Sequence, residues 1–226
     1  MRFIIELDGL VLDIVPSSYA VHRSVAEELG WSSLEPATFR RITRKDGRQA
    51  NILPGAKPGK VEAYYARYAE QIETDAAIMA HPPQPDIETV LAALGRYGAC
   101  SGITLGANLV ARRGWVEQHG LGTHMVEVQV LDTDSRRRPG ALKVLAEGDK
   151  RAIVIASGEG VLRAAGGAEL FAVGMDTGLV SKKRLFQAGA AVVYGGFSDL
   201  IDSLQVGFPD LVQAGLLPLP MTATDT

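Results

Sequence analysis

Three short apolar runs rich in β-branched residues, each followed by a turn and a helical pattern, restrict the folds that are open to this chain. Continuous apolar runs of this length are typical of parallel strands that are covered on both faces. These runs are Arg2–Leu7, Cys100–Leu105 and Ala152–Ala156, and further strands are predicted at Val126–Leu131, Leu170–Val173 and Ala191–Tyr194. The alternation of strands and helices predicts a doubly wound α/β sheet.

The alternation is interrupted after the first strand by a long stretch with helical periodicity. From Pro16 to about Ala80 the apolar residues form two stripes at helical spacing, one beginning at Val21 and the other at Val61. The proline-rich run 81–85 is stiff and breaks helices, as a linker back into the sheet would. The stretch is therefore predicted to be a helical insertion between the first two strands.

A helix is predicted to follow this linker from Asp86 to Tyr97, with Asp86 as its N-cap and Gly98 at its end. It would return the chain to the sheet. The predicted domains are a core of residues 1–14 and 86–226 and a helical cap of residues 15–85.

The charge and the cysteine content argue against several classes of function. The formal net charge is −3, which gives no overall attraction to nucleic acid or to an anionic membrane surface. No apolar run approaches the ~20 residues that a membrane-spanning helix needs, and the first residues show no signal-peptide pattern. The single cysteine, Cys100, has no partner for an intrachain disulfide, which favours a reducing compartment. We therefore expect a cytoplasmic protein that binds neither nucleic acid nor membrane.

Three segments resemble, in order and spacing, motifs of the haloacid-dehalogenase (HAD) superfamily. Ile4–Asp13, with the sequence IIELDGLVLD, is similar to the first motif, a strand ending in Asp-x-Asp-Gly-Thr-Leu-x-Asp. Gly102–Thr104 resembles the second motif and Ala156–Leu170 the fourth, and the helical insertion resembles the C1 cap of the phosphoglucomutase-like branch. The resemblance covers roughly residues 2–205. It implies a Rossmann-like parallel-sheet HAD core with an inserted helical C1 cap.

The resemblance implies phosphatase-like chemistry at Glu6 and Asp8. In the family the first aspartate of motif one attacks phosphorus and ligates Mg²⁺, and the second is the general acid/base. Glu6 stands at the position of the nucleophile but adds a methylene that moves its oxygens by ~1.5 Å, and a misplacement of ~1 Å can cost about 10²-fold in rate. Asp8 matches the general acid and precedes Gly9, which suits the sharp turn. Alternatively, Glu6 is a solvated or paired acid at a strand end, and Asp8 is a turn or cap aspartate.

The resemblance also implies an anion site at the second and third motifs, which hold the phosphoryl oxygens in the family. The hydroxyl of Thr104 and the amides of Leu105, Gly106 and Ala107 would form an anion cradle at a helix N-terminus. The best counterpart of the Lys-Pro of motif three is Arg138-Pro139, because arginine can hold a phosphate bidentately. The alternatives are a β-forming threonine that ends a strand and an exposed basic loop.

The fourth motif lacks the carboxylates that complete the Mg²⁺ shell in the family. Ser157 stands at the position of one metal-binding acid and Val161 at that of the second, while Mg²⁺ relies on carboxylate oxygens in octahedral geometry. Glu159 could reach the metal position, although an acid there also suits the first turn of a helix. We expect no cofactor and no metal site. Mg²⁺ is expected only if the chain is a divergent enzyme, with Glu6 and Asp8 as its remaining ligands.

A basic segment of the predicted cap is a further candidate for anion contact. It comprises Arg40, Arg41, Arg44, Lys45 and Arg48. These side chains could meet an anionic ligand over the core, or they could form the solvated face of a charged helix.

These observations leave three hypotheses open. The preferred one is a HAD-like pseudophosphatase that binds an anionic small molecule or a protein partner without efficient Mg²⁺-dependent turnover. The second is a divergent phosphatase or phosphomutase that uses Glu6 and Asp8. The third is a structural subunit that docks a partner protein, with the apolar tail Leu216–Leu219 as part of its surface.

Overall fold

A computed structural model describes residues 1–46, 52, 53, 55–206, 208, 213 and 215. Its centre is a sheet of six parallel strands in the order β3-β2-β1-β4-β5-β6. The strands are β1 (Arg2–Glu6), β2 (Ala99–Thr104), β3 (Glu127–Val130), β4 (Ile153–Ala156), β5 (Phe171–Met175) and β6 (Val192–Tyr194). The predicted doubly wound α/β architecture is confirmed.

The strands are buried because their side chains alternate between two apolar layers. In β1, Phe3 and Ile5 face one layer and Ile4 faces the other, and Ile153 and Val154 of β4 divide in the same way. Burying each such side chain contributes about 1.5–3 kcal/mol to folding. A strand that is covered on both faces reads as an unbroken apolar run.

Two groups of helices cover these layers. Apolar side chains of α5 (Ile87–Gly95), α6 (Leu109–Gln118) and α10 (Phe197–Gln205) fill the first layer. Those of α7 (Arg138–Leu145), α8 (Glu159–Gly167) and α9 (Lys182–Gln187) fill the second. A 3-10 helix at Leu121–His124 joins α6 to β3. Helices on both faces of a parallel sheet leave its carboxyl edge free for a ligand.

The chain between β1 and β2 forms α1 (Val15–Glu28), α2 (Pro36–Asp46), α3 (Pro58–Ile72) and α4 (Asp75–Met79), here called the cap helices. The first three enclose an apolar cluster of their own around Val25, Phe39 and Tyr64. His22 is fully buried in it, where it bonds the hydroxyl of Tyr64 at 2.9 Å and accepts from the amide of Leu34 at 3.1 Å. Helix α4 instead packs on α6, and its Ile78 joins the first layer of the core.

The return from the cap to the sheet differs in detail from the sequence-based expectation. Helix α5 covers Ile87–Gly95, so it is shorter at both ends than predicted. Asp86 makes no side-chain capping bond and has a left-handed backbone with φ of 62°. The proline-rich linker runs beside the segment after β1, since the amide of Asp13 donates to the carbonyl of Pro82. This pairing brings both ends of the insertion together.

The carboxyl ends of β1, β2 and β4 lie at one edge of the sheet because the three strands are adjacent and parallel. Glu6 of β1 is in register with Ile103 of β2, and Ile5 is in register with Ile155 of β4. Glu6, Thr104 and Ser157 therefore meet at this edge, as the sequence predicts. No helix in the described part of the chain is long and apolar enough to cross a membrane. The tail Leu216–Leu219 lies outside the described residues.

Candidate functional site

Glu6 ends β1 with its carboxylate buried and turned toward the loop between β4 and α8. Only 4% of the residue is exposed. Its Oε2 accepts hydrogen bonds from the amides of Ser157 at 2.8 Å and Gly158 at 2.7 Å, and from the hydroxyl of Ser157 at 3.4 Å. The side chain of Glu6 thus reaches the segment that resembles motif four and accepts hydrogen bonds from its amides.

Burial raises the pKa of Glu6 to about 7, although the amide hydrogen bonds from Gly158 and Ser157 lower it and the nearby charge of Asp8 raises it further. A carboxyl group that keeps its proton up to about neutral pH is a weaker nucleophile there than an ionised carboxylate, because it lacks the negative charge. A side chain on Gly158 would come within 2.5 Å of Oε1, so the absence of a Cβ there is what allows the loop to close on Glu6. The loop therefore holds Oε2 of Glu6 as a hydrogen-bond acceptor.

Asp8 and Thr104 are bonded to each other. The hydroxyl of Thr104 donates to Oδ2 of Asp8, and the amide of Gly106 donates to the same hydroxyl oxygen at 2.8 Å. The structure therefore brings Asp8, Thr104 and Gly106 together, as the sequence predicts. The hydroxyl and one of the amides expected to hold an anion already have partners within the chain.

The cation at this site is Arg112 of α6, which the sequence analysis did not single out. Its Nε donates to Oδ1 of Asp8 at 2.9 Å, and its Nη1 and Nη2 donate to Glu73 at 2.8 and 2.9 Å. The side chain is 4% exposed. Burial by itself lowers the pKa of Arg112, but the bonds to Glu73 and Asp8 raise it above its usual value. These three residues and Thr104 are called the Arg112 network below.

Arg112 could have been suspected from its position. It lies on the buried face of α6, three and four residues before Trp115 and Val116. A charged residue on an apolar helix face is almost always paired when it is buried. The periodicity therefore signals a buried cation, although it does not name the acids that neutralise it.

Glu73 ends α3, so the Arg112 network joins the cap helices to the core. Besides Arg112, its carboxylate accepts from the amide of Asn108 at 3.0 Å. Asn108 in turn caps α6 by accepting from Ala111, and its Nδ2 donates to Asp75 of α4 at 2.6 Å. The N-terminus of α6, the place where an anion would bind, is thus filled by cap carboxylates.

The opposite side of the strand end is covered by the loop that follows β5. Gly9 has a left-handed backbone with φ of 85°, and a Cβ on it would overlap Leu179 and lie 3.0 Å from the Ser157 hydroxyl. Clefts of about 900 and 490 Å³ lie between the cap helices and this loop. Neither is lined by Glu6, Asp8 or Thr104. Leu179 therefore covers the turn at Gly9 on this side.

Two predicted site residues have other partners. Arg138 begins α7, and its guanidinium donates to the carbonyls of Asp132 and Thr133 at 2.8 and 3.2 Å, so Arg112 and not Arg138 is the cation bonded to Asp8. Glu159 begins α8 and pairs with Arg163 at 3.1 Å and with Arg184. These contacts direct the Glu159 carboxylate toward α9, so it does not join Glu6 as a metal ligand. Leu105 packs its side chain beside Gly160 and the second apolar layer.

The residues present do not fit Mg²⁺, the metal that the resemblance implies. Glu6 faces hydrogen-bond donors, and Asp8 is bonded to a fixed cation that repels a second one. In the described ranges, no group of three or more His, Cys, Asp or Glu side chains is arranged to hold a metal ion. A hard divalent cation needs several oxygen ligands around one point, which this arrangement does not supply.

Comparisons with known proteins agree on the architecture. No protein-family model and no curated protein matches the sequence. Among solved structures, a haloacid dehalogenase-like hydrolase from Streptococcus pneumoniae superposes with a TM-score of 0.72 at 12% identity, over 90% of this chain and 98% of that one. A predicted phosphatase from Clostridium acetobutylicum superposes with a TM-score of 0.67 at 14% identity, over 90% of this chain and 97% of that one.

A protein from Bacteroides vulgatus assigned as a β-phosphoglucomutase gives a TM-score of 0.61 at 18% identity, over 95% of this chain and 89% of that one. Identities this low establish the architecture and leave the chemistry to the residues themselves. The chain has the fold of the haloacid-dehalogenase-like hydrolases.

Proposed function

We propose that this protein is a HAD-like pseudophosphatase that acts by binding an anionic small molecule or a protein partner, without efficient Mg²⁺-dependent turnover. The observation that carries the proposal is the state of Glu6, whose carboxylate is buried and accepts from both amides of the 157–158 loop. In-line attack on phosphorus needs a charged carboxylate placed within a fraction of an ångström. Burial disfavours the charge on Glu6, and the two amides hold its Oε2 against the 157–158 loop.

The electrostatics of the site support the same proposal. Phosphoryl transfer depends on positive charge aimed at the oxygens of the transferred group. Among the described residues, the buried guanidinium bonded at this edge is that of Arg112, and it is instead neutralised by Asp8 and Glu73. Binding a phosphoryl group there would require breaking two charge-assisted hydrogen-bonded contacts, each worth about 1.5–3 kcal/mol.

Hydrolysis assays test the proposal directly. With millimolar Mg²⁺ and generic phosphomonoesters, we expect turnover far below ~1 s⁻¹, the low end of ordinary enzymes. The control is Glu6→Gln, which keeps the size of the side chain and removes its charge. A residual rate that is the same in the parent protein and in Glu6→Gln is background and supports the proposal. A rate at or above ~1 s⁻¹ that disappears in Glu6→Gln contradicts it.

The alternative, a divergent hydrolase that uses Glu6 and Asp8, has one observation in its favour. The two carboxyl groups remain at the strand edge, with Glu6 at the position of the nucleophile and Asp8 at that of the general acid. In that case Asp8→Asn and Glu6→Gln should both abolish a measurable rate, and the rate should increase as the pH rises through about 7, where Glu6 loses its proton. The pseudophosphatase proposal predicts no such dependence.

A further inference from the structure

A cleft between α2 and the beginning of α9 concentrates positive charge. Helix α2 presents four cations at the spacing of one helix face, and two lysines face them from the core. The cleft measures about 900 Å³. It is called the basic cleft here and is lined by Arg40, Arg41, Arg44, Lys45, Lys182 and Lys183, together with Asp176.

The positive charge of the basic cleft is largely uncompensated. Asp176 pairs with Arg44 at 2.6 Å. The other five cations of the cleft form no ion pair with any carboxylate in the described part of the chain, and each of the five is exposed. The Nε of Arg44 is buried and has no acceptor among the described residues. This concentration occurs in a chain whose net charge is −3.

The two walls of the basic cleft are fixed relative to each other. The guanidinium of Arg184 in α9 donates to the backbone carbonyls of Thr43 and Arg44, at 3.3 and 3.1 Å. The amide of Ser181 donates to the same carbonyl of Arg44 at 3.3 Å. These bonds satisfy carbonyls near the C-terminal end of α2 and attach it to the core. The basic face of α2 is therefore held opposite Lys182 and Lys183 and is not a helix face directed only at solvent.

Holding like charges on facing walls is unfavourable without a counterion. Charges separated by less than about 8 Å are only partly screened at physiological ionic strength. Nothing in the packing requires cations at these positions, because the apolar contacts of α2 are made by Phe39 and Ile42 on another face. An anion that lies between the walls relieves the repulsion and also provides an acceptor for Arg44.

We propose that the basic cleft binds a small anion that carries two or more linked phosphate groups. The proposal names the ligand class for the binding role given above and rests on that proposed function. A volume of about 900 Å³ lies in the range of small-molecule sites, about 300–1,000 Å³. One phosphate group can contact two or three side chains. Six cations spread over two walls therefore match a chain of linked phosphates better than a single phosphate group. Arginine forks and lysine ammonium groups are the usual protein donors to such groups.

Calorimetry with inorganic tripolyphosphate tests this site. In magnesium-free buffer at about 0.15 M ionic strength, we expect one tripolyphosphate per chain and an affinity at least about tenfold higher than that for orthophosphate. Two charge-neutralising pairs probe the walls separately, Arg40→Gln with Arg41→Gln on α2 and Lys182→Gln with Lys183→Gln on α9. Each pair should weaken binding by at least about tenfold. All four side chains are exposed, so the variants should fold, which thermal unfolding checks.

The matched control is Arg136→Gln with Arg137→Gln, which removes the same charge from an exposed loop that pairs with Asp134. It should change the affinity by less than about twofold. If the control weakened tripolyphosphate binding as much as the two wall pairs do, the effect would be one of net charge, and the proposed site would be wrong. Absence of saturable binding, or tighter binding of duplex DNA than of tripolyphosphate at the same salt, would also overturn the proposal.

A second comparison separates this site from the position of the family's reaction centre. Glu6→Gln should leave the tripolyphosphate affinity within about twofold, because Glu6 does not line the basic cleft. Loss of binding in Glu6→Gln but not in the lysine pair would place the ligand at the strand edge and overturn the inference. Release of orthophosphate that Glu6→Gln abolishes would contradict the pseudophosphatase proposal, while the wall variants would still decide where the ligand binds.

Discussion

The guanidinium of Arg112 donates to the carboxylate of Asp8 across 2.9 Å, and its other two nitrogens bind Glu73. One side chain of the core helix α6 thereby connects the end of β1 to the end of the cap helix α3. The same contact sets the charge at the strand edge and the placement of the cap. Changes at Arg112 should therefore affect stability more than any single surface ion pair of the chain.

Arg112→Ala should lower the free energy of unfolding by about 3–5 kcal/mol. It leaves Asp8 and Glu73 partly buried without their cation, and removing one partner of a buried pair costs more than the pair contributes. Urea unfolding measures the change. The neighbouring Arg113→Ala is the control and should cost less than about 1 kcal/mol, because Arg113 is exposed and, within the described part of the chain, donates to the carbonyl of Val128 alone. Equal costs for both variants would contradict the structural role of Arg112.

Glu6→Gln should alter the pH dependence of stability. Burial raises the pKa of Glu6 from an ordinary value of 4.5 to about 7 in the folded state, so the folded state holds this proton more tightly than the unfolded one. The resulting stabilisation is fully present below pH 4.5 and is lost as the pH rises through 7. At ~1.4 kcal/mol per pKa unit, the loss is about 3 kcal/mol.

The difference in unfolding free energy between the parent and Glu6→Gln isolates this effect from the other titrating groups. As the pH rises from 4.5 to 7, we expect the unfolding free energy of Glu6→Gln to increase relative to that of the parent. Above pH 7 the difference between the two should become constant. The buried imidazoles of His22 and His81, whose pKa values burial lowers, act in the opposite direction in both proteins and cancel. A difference that does not vary with pH would show that Glu6 titrates normally.

Gly106→Ala should destabilise the protein by about 1–3 kcal/mol, as overpacking does. A Cβ at this position would overlap the guanidinium of Arg112 and approach Glu73 to 2.5 Å. Gly140→Ala is the matched control, because Gly140 lies inside α7 with open space around its Cβ direction. Alanine there should raise stability by about 0.5–1 kcal/mol. Differential scanning calorimetry of the two variants gives the sign of each change.

Addition of Mg²⁺ should leave the melting temperature of the parent protein unchanged, because the parent lacks a set of oxygen ligands for the ion. A ligand that bound only the native state would raise the melting temperature. Glu6→Asp with Ser157→Asp should give a measurable increase, because it shortens one carboxylate and adds a second at the strand edge. Glu6→Asp with Ser157→Asn is the control of equal size without the added charge. A clear increase for the parent, or none for the double aspartate variant when it is folded, would mean that the metal position is misplaced.

The strands and their common edge could be predicted because their signals are local. An unbroken apolar run such as Ile153–Ala156 indicates a strand that is buried on both faces. Glu6, Thr104 and Ser157 each follow or end such a run, which places them at the ends of neighbouring strands. The Arg112 network could not be predicted in full, since Arg112 and Glu73 are 39 residues apart and lie on separate helices. The orientation of Glu6 likewise depends on amides at positions 157 and 158, which periodicity does not reveal.

Among the described residues, the attachments of the cap helices to the core include Glu73 with Arg112 and, at a separate place, Arg44 with Asp176 and Arg184. A hinge that opened one attachment would have to strain or break the other, so the cap should not move as a lid on the time scale of ligand encounter. Ligand binding to the basic cleft would then involve no closure step. In stopped-flow experiments the observed rate should rise linearly with ligand concentration in a single phase, without the plateau that a slow conformational step imposes.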